Sequence, residues 1–186
     1  HLEGQADFDL RPVWQAMPMG ASVCFALPVS LELPDNVLQT LGADTAATAQ
    51  LAKNISSAGL CWYDTSRLHS PLLVAKLKVD GTPALDTQLG DLFQNVIGAY
   101  EPLANTRVFP MEAETQGEAT IWRRQVSSPY GQYSAKEAKQ PDAIFGRNFF
   151  RVSLARHNSM LIFSLDDSLV GASLNSMEKR WPPMAD

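Results

Sequence analysis

The sequence predicts an α+β domain in which an antiparallel sheet of hairpins carries about three helices on one face. Two observations lead to this prediction. Apolar, strand-like segments follow one another with only turn residues between them, and three longer regions show helical spacing of apolar residues. Strands that follow each other through short turns form antiparallel sheets, whereas a doubly wound parallel sheet needs a helix after nearly every strand. The expected order is β-α-β-β-α-β-β-β-β-α.

The first half of the chain supplies three strands and a helical region. Ala21–Pro28 is a short apolar run closed by a proline, which is typical of a buried strand. Asp35–Leu41 and Asp44–Asn54 show apolar residues at helical spacing, with Asp44 as a candidate N-cap. Ala58–Asp64 and Leu72–Val79 then read as a hairpin, and the lysines of the second strand predict one solvated face.

The second half predicts two helices around four strands. Pro83–Tyr100 carries the clearest apolar stripe at helical spacing. Asp166 and Asp167 precede a last helix, Ser168–Arg180, and are expected to cap it. Gly117 and Asn158 mark tight turns. The strands are Thr106–Glu114, Glu118–Ser127, Phe149–Ala155 and Met160–Leu165.

Composition and length indicate one domain at residues 21–186, after an irregular lead-in at 1–20. The 186 residues are 45% hydrophobic and 19% charged, which suits a chain that buries its own core. His1–Gly4 has the look of a cloning remnant. VCFALP and LIFSLD are each followed by a helical pattern, so the domain is also compatible with two β-α-β-type units of a longer repeat protein. We therefore expect a fragment of a longer chain.

Cys24 and Cys61 are the two cysteines, and each lies in an apolar stretch. Cysteine is among the most buried residue types, so two reduced core thiols are the preferred interpretation. A disulfide between neighbouring strands is the alternative, and it would indicate an oxidising compartment. Neither cysteine has the CxxC spacing or the nearby histidines of a metal site.

Common catalytic and cofactor motifs are missing from the sequence. It contains no GxxxxGK[ST] or GxGxxG loop for nucleotides and no GxSxG nucleophile turn. One SxxK match, Ser176 to Lys179, falls at the end of a helix without the partner motifs of serine acyltransferases. His157 lies in a predicted turn. No catalytic, cofactor-binding or metal-binding residue is therefore assigned, and no cofactor is expected.

A hydrolase of unrecognised type is one alternative function. Glu112 and Glu114 lie two residues apart on a predicted strand and so face the same side, where paired carboxylates can serve acid–base chemistry. His69 has two serines nearby, Ser66 and Ser70. Edge-strand charges that deter aggregation are the more common role for such glutamates, and solvated turn positions for such a histidine.

A second alternative is an anion-binding surface in the Arg123–Arg156 region. The formal net charge is −5, yet basic residues outnumber acidic ones here. They are Arg123, Arg124, Lys136, Lys139, Arg147, Arg151 and Arg156. The region lacks the density of charge and the interleaved aromatic residues of a nucleic-acid surface, so no nucleic-acid partner is expected.

The segments Ser57–Leu77 and Ser153–Asp186 resemble an uncharacterised family of large bacterial envelope proteins encoded beside bacterial alpha-2-macroglobulin homologues. The resemblance implies a periplasmic or otherwise exported chain, and it brings no site residues. No apolar run reaches the roughly 18–20 residues of a membrane span. We therefore expect a non-enzymatic exported domain that packs against another envelope protein or against neighbouring repeats of its own chain.

Overall fold

The computed structural model describes residues 9–29, 45–64, 70–100, 110–128 and 148–178. Within them, seven strands and four helices are assigned. The helices are α1 (Arg11–Gln15), α2 (Thr45–Lys53), α3 (Pro83–Tyr100) and α4 (Asp167–Met177). The strands are β1 (Val23–Pro28), β2 (Ile55–Trp62), β3 (Leu72–Leu77), β4 (Met111–Gln116), β5 (Ala119–Ser128), β6 (Asn148–His157) and β7 (Met160–Ser164).

All seven strands form one antiparallel sheet in the order β1-β2-β3-β7-β6-β5-β4. The expected order of elements and the α+β class are confirmed, with α1 added at the start. Gly117 and Asn158 have the positive φ angles of 61° and 52° that tight turns need, as their positions predicted. The predicted helix at Asp35–Leu41 and the Asp44 cap lie outside the described residues.

Helices cover both faces of the sheet, and the prediction that they share one face is wrong. Helices α1 and α4 pack on one face, whereas α2 and α3 pack on the other. The reason lies in the central strands β3 and β7, which are apolar on both sides. Val74 and Ile162 are buried beneath α1 and α4, and their neighbours Ala75 and Leu161 are buried beneath α3.

The sheet therefore separates two hydrophobic cores. The first lies under α1 and α4 and includes Val13, Met17, Cys61, Leu72, Ile121, Leu169, Val170 and Leu174. The second lies under α3 and includes Leu77, Leu85, Leu89, Phe93, Ile97, Trp122, Val126 and Val152. Its α3 members are the stripe that the helical spacing of Pro83–Tyr100 predicted.

The lead-in is not irregular throughout, because residues 11–15 form α1 and dock on the sheet. Val13, Ala16 and Met17 are fully buried. The Tyr63 hydroxyl donates to the Pro18 carbonyl at 2.8 Å, and burial raises the pKa of Tyr63 to about 12. A five-residue helix is too short for its periodicity to stand out in the sequence.

Cys24 and Cys61 are joined by a disulfide, so the preferred interpretation as free thiols is corrected. The two residues lie directly opposite each other in β1 and β2, with their Cα atoms 4.2 Å apart. That separation is typical of the closely spaced pairs of an antiparallel ladder. The bond ties the terminal strand β1 to the sheet.

Helix α3 approaches the sheet closely at Gly90, which leads to a test of the packing. A Cβ atom at this position would lie 2.8 Å from the Trp122 indole nitrogen, and Trp122 is itself buried. We expect Gly90→Ala to destabilise the protein by about 1–2 kcal/mol in urea unfolding, because overpacking outweighs the gain in helix propensity. Gly171→Ala in α4 is the matched control. A Cβ there meets nothing within 4 Å, so we expect up to about 1 kcal/mol of stabilisation.

Candidate functional site

The start of α4 gathers several polar side chains at one end of the sheet. Asp166 is the N-cap, and its carboxylate accepts from the Ser168 backbone N–H at 3.1 Å. The Asp166 N–H in turn donates to Ser164 Oγ at 3.0 Å. The prediction that Asp166 and Asp167 belong to the helix start is confirmed. The Asp166 carboxylate thus satisfies one of the backbone N–H groups that a helix start leaves without an intrahelical partner.

An ion-pair row anchors this helix start to β4, β5 and β6. The Arg123 Nε donates to Asp167 Oδ1 at 2.9 Å, and its Nη1 lies 2.5 Å from Glu114 Oε2. The Ser153 hydroxyl donates to the same Asp167 oxygen. Burial acts to lower the pKa of Arg123, but the hydrogen bonds to Asp167 and Glu114 and their negative charges together outweigh it, so the pKa is raised. Glu114 thus acts as the partner of a structural arginine.

Several of the residues that the sequence suggested for a hydrolase lie in the described part of the chain, and Ser70 and Glu114 make structural hydrogen bonds there. Ser70 is buried, and its hydroxyl accepts from the Leu165 N–H at 3.2 Å and lies 3.4 Å from Ser164 Oγ. Glu112 is exposed on β4, where its Cα lies opposite that of Arg123. Ser66 and His69 lie outside the described residues. Ser70 contacts Ser164 and Leu165, whereas Glu114 contacts Arg123, so these hydrogen bonds do not bring Ser70 and Glu114 together.

The Arg123–Arg156 region does not form one basic surface in the part of the chain that the structure describes. Arg123 and Arg124 are adjacent in β5 and therefore point to opposite faces of the sheet. Arg124 is buried on the α3 side, where its Nη1 donates to the Gln94 carbonyl at 3.4 Å. Arg151 is exposed. Lys136, Lys139 and Arg147 lie outside the described residues.

Arg156 forms a second ion pair, which holds the start of α3 on the sheet. Its Nη2 lies 2.8 Å from Asp86 Oδ2, and its Nε contacts Oδ1, so the pair is bidentate. The Thr120 hydroxyl donates to the same carboxylate at 3.1 Å. Arg156 is the main cause that lowers the pKa of Asp86, and Asp86 in turn raises the pKa of Arg156. A charge this well paired offers little to an external anion.

This pair predicts an acid-dependent loss of stability. Because the pKa of Asp86 is lower in the folded protein, its contribution is complete above the unfolded pKa of about 4 and is lost as pH falls through the folded pKa. We expect Asp86→Asn to lower the free energy of unfolding by about 2 kcal/mol at pH 7 and by progressively less as pH falls below 4. Urea unfolding over this pH range measures the difference. Asp91→Asn, an exposed change in the same helix, is the control, and a pH-independent difference for Asp86→Asn would contradict the assignment.

The most unusual surface of the described residues is apolar and lies on β1, β2 and β3. On the face that α2 and α3 share, these strands present side chains that those helices leave exposed or half-buried. Phe25 lies opposite Leu60, which lies opposite Leu73 in the next strand, and the Phe25 and Trp62 rings are 5.8 Å apart. We call this the β1–β3 apolar surface. Its members are Val23, Phe25, Leu27, Leu60, Trp62 and Leu73.

The two edge strands of the sheet differ in charge: β4 carries exposed glutamates, whereas β1, at the edge of the apolar surface, has no charged residue. The β4 edge carries Glu112 and Glu114, both exposed, as expected for an edge that resists association. Strand β1, VCFALP, has no charged residue, although Phe25 and Leu27 are 42% and 48% exposed. Contiguous exposed apolar side chains mark interaction surfaces more often than isolated ones do.

Sequence reasoning took Ala21–Pro28 for a buried strand and so did not identify this surface. A signal was nevertheless present in the size of alternate residues. The small side chains Cys24 and Ala26 point into the core under α1, whereas the larger Phe25 and Leu27 point outward. In a strand that simply fills a core, the larger side chains would be expected to point inward.

No group of three or more His, Cys, Asp or Glu side chains in the described residues is arranged to hold a metal ion. Among the same residues, no helix is both long enough and apolar enough to cross a membrane.

Comparison with known proteins finds a relative of the chain and a matching family, but no solved structure matches it. "Uncharacterized protein YfaA" of Escherichia coli K12 is 44% identical over 181 residues. The match covers 97% of this chain and 32% of that relative, so the chain spans about a third of the relative's length. The model of a family described as an uncharacterized protein conserved in bacteria, DUF2138, matches residues 2–186. The chain therefore belongs to this uncharacterised bacterial family.

Proposed function

We propose that the chain is a non-enzymatic exported domain that packs against other protein through the β1–β3 apolar surface. The observation that carries the proposal is the exposure of Phe25, Leu27 and Leu73 on one continuous face of an uncharged terminal strand and its neighbours. Leaving such side chains in water costs roughly 25 cal/mol per Å² of apolar area, and a protein surface that covers them recovers this free energy. The polar clusters, by contrast, are engaged in holding α3 and α4 to the sheet.

The disulfide supports an exported location. Disulfides persist in the bacterial periplasm and are rare in the reducing cytosol. The proposal includes the setting that the sequence resemblance implies, a large envelope protein encoded beside an alpha-2-macroglobulin homologue. We expect Cys24 and Cys61 to resist alkylation in intact cells unless a reductant is added first. Free, alkylated thiols in untreated cells would count against export.

The packing role is tested by cross-linking in living cells. The photo-cross-linking residue p-benzoylphenylalanine is introduced at position 27 of the natural protein, within the β1–β3 apolar surface. Position 79 is the matched control, because Val79 is 43% exposed and apolar but lies beyond the end of β3. We expect irradiation to join position 27 to other protein, with little product at position 79. Equal yields at the two positions, or no product at position 27, would contradict the proposal.

A further inference from the structure

We infer that in the longer proteins of this family the β1–β3 apolar surface is covered by a segment of the same polypeptide outside these 186 residues. The inference rests on the proposed function and names its partner. It excludes a second copy of the chain and a separate protein as the occupant.

The length of the family's proteins is the first argument. The relative that is 44% identical over 97% of this chain has about two thirds of its residues outside the match. A covering segment is therefore available within one polypeptide. With no charge in β1 and Phe25 packed near Trp62, the matching chemistry is an apolar strand face or the apolar side of an amphipathic helix.

The second argument is that the β1–β3 apolar surface is part of a rigid, regular sheet and is therefore always present. Phe25, Leu27 and Leu73 belong to a regular sheet whose terminal strand is fixed by a disulfide, so the surface persists in every molecule. A tethered segment meets such a surface at an effective concentration on the order of millimolar, whatever the cellular abundance of the protein. A separate partner at low abundance would leave the apolar side chains exposed for much of the protein's life.

The difference between the two sheet edges is the third argument. Glu112 and Glu114 keep β4 solvated, as suits an edge that stays in contact with water. Strand β1 lacks this protection and carries exposed Phe25 and Leu27 instead. An intramolecular cover removes the need for charged side chains on β1, because the surface is occupied as soon as the whole polypeptide has folded.

The test uses the natural full-length protein with p-benzoylphenylalanine at position 25 and, as the control, at position 79. Phe25 and Val79 are 42% and 43% exposed, so the two probes start from equal accessibility. After irradiation, the mass of the product is measured under denaturing, reducing conditions, and the linked peptides are mapped by mass spectrometry. We expect position 25 to give a product with the mass of one chain, linked to a peptide outside residues 1–186, in at least tenfold higher yield than position 79.

A second readout does not depend on the cross-linker. In the full-length protein, Leu27→Glu is expected to lower the thermal midpoint by several degrees, whereas Val79→Glu changes it by one degree or less.

Other cross-linking products separate failure of the inference from failure of the proposed function. A product with twice the mass, or with a different protein, would overturn the inference and leave the packing role standing. A link within residues 1–186, including residues 30–44, or no product at position 25, would overturn both. A natural polypeptide that adds nothing to these 186 residues would also overturn the inference.

Discussion

Reduction of the Cys24–Cys61 disulfide is expected to lower the free energy of unfolding by about 2–4 kcal/mol. The bond closes a loop of 37 residues between β1 and β2. Loop-closure entropy in the unfolded chain gives an upper value of about 4 kcal/mol for a loop of this length. The effect should be large for this fold because β1 pairs with only one strand, β2, within the described sheet.

Urea unfolding of the oxidised and reduced protein at the same pH measures this difference directly. The control is a Cys24→Ala/Cys61→Ala variant, whose midpoint should not respond to the reductant. An oxidised protein whose midpoint also fails to respond would show that the bond contributes nothing to stability.

Substitution of Gly59 by alanine is expected to cost about 2–3 kcal/mol, a large effect for the addition of one methyl group. A Cβ atom at Gly59 would lie 2.8 Å from the Phe25 carbonyl oxygen of β1 and 2.9 Å from Val13 Cγ1 of α1. It would also overlap the end of the Met17 side chain. Because backbone and a fully buried valine cannot move aside without disturbing the sheet, overpacking strain results.

The consequence of Gly59→Ala should concentrate at α1. Hydrogen exchange is expected to accelerate at the amides of Trp14, Ala16 and Met17, whose N–H groups make the hydrogen bonds of α1. Amides in α3 lie on the opposite face of the sheet. Their protection from exchange should fall only by the amount that corresponds to the drop in the global free energy of unfolding. Gly171→Ala again supplies the control. A Gly59→Ala variant as stable as the original protein would contradict the close docking of α1 on β2.

Much of the fold was predictable because its signals are local. The stripe of Pro83–Tyr100, the Asp166 cap and the turns at Gly117 and Asn158 each depend on a few neighbouring residues. The single strands and the antiparallel class of the sheet followed in the same way from short apolar runs and turn residues, whereas the pairing of β3 with the distant β7 did not.

The prediction that helices cover only one face of the sheet was wrong, because two signals in β3 compete. Lys76 and Lys78 indicated a solvated face of β3, whereas the run Leu72–Ala75 is apolar without interruption. Continuous apolar runs are typical of strands buried on both faces, and Val74 and Ala75 are indeed buried on opposite faces, although Leu73 stays exposed.

The polar clusters and the apolar surface depend on contacts between residues far apart in the chain. Asp86 and Arg156 are separated by 70 positions, and nothing near either residue indicates the other. Exposure of Phe25 likewise depends on where α2 and α3 lie. The alternation of small and large residues in β1 indicates which side chains face outward, but it does not indicate where the two helices lie. Glu112 and Glu114, by contrast, were interpreted from local sequence alone: their expected role as edge-strand charges agrees with their exposure on β4.

Side-chain accessibility in the natural protein tests the packing role of the β1–β3 apolar surface most directly. Hydroxyl-radical footprinting of the native protein in a freshly prepared envelope fraction compares the oxidation rates of Phe25 and Leu27 with that of Val79, scaled by the intrinsic reactivity of each residue type. All three side chains are similarly exposed in the described structure. If other protein covers the surface, Phe25 and Leu27 will be oxidised at least fivefold more slowly than Val79. Scaled rates equal to that of Val79 would mean that the surface is bare in its native setting, and would contradict the account.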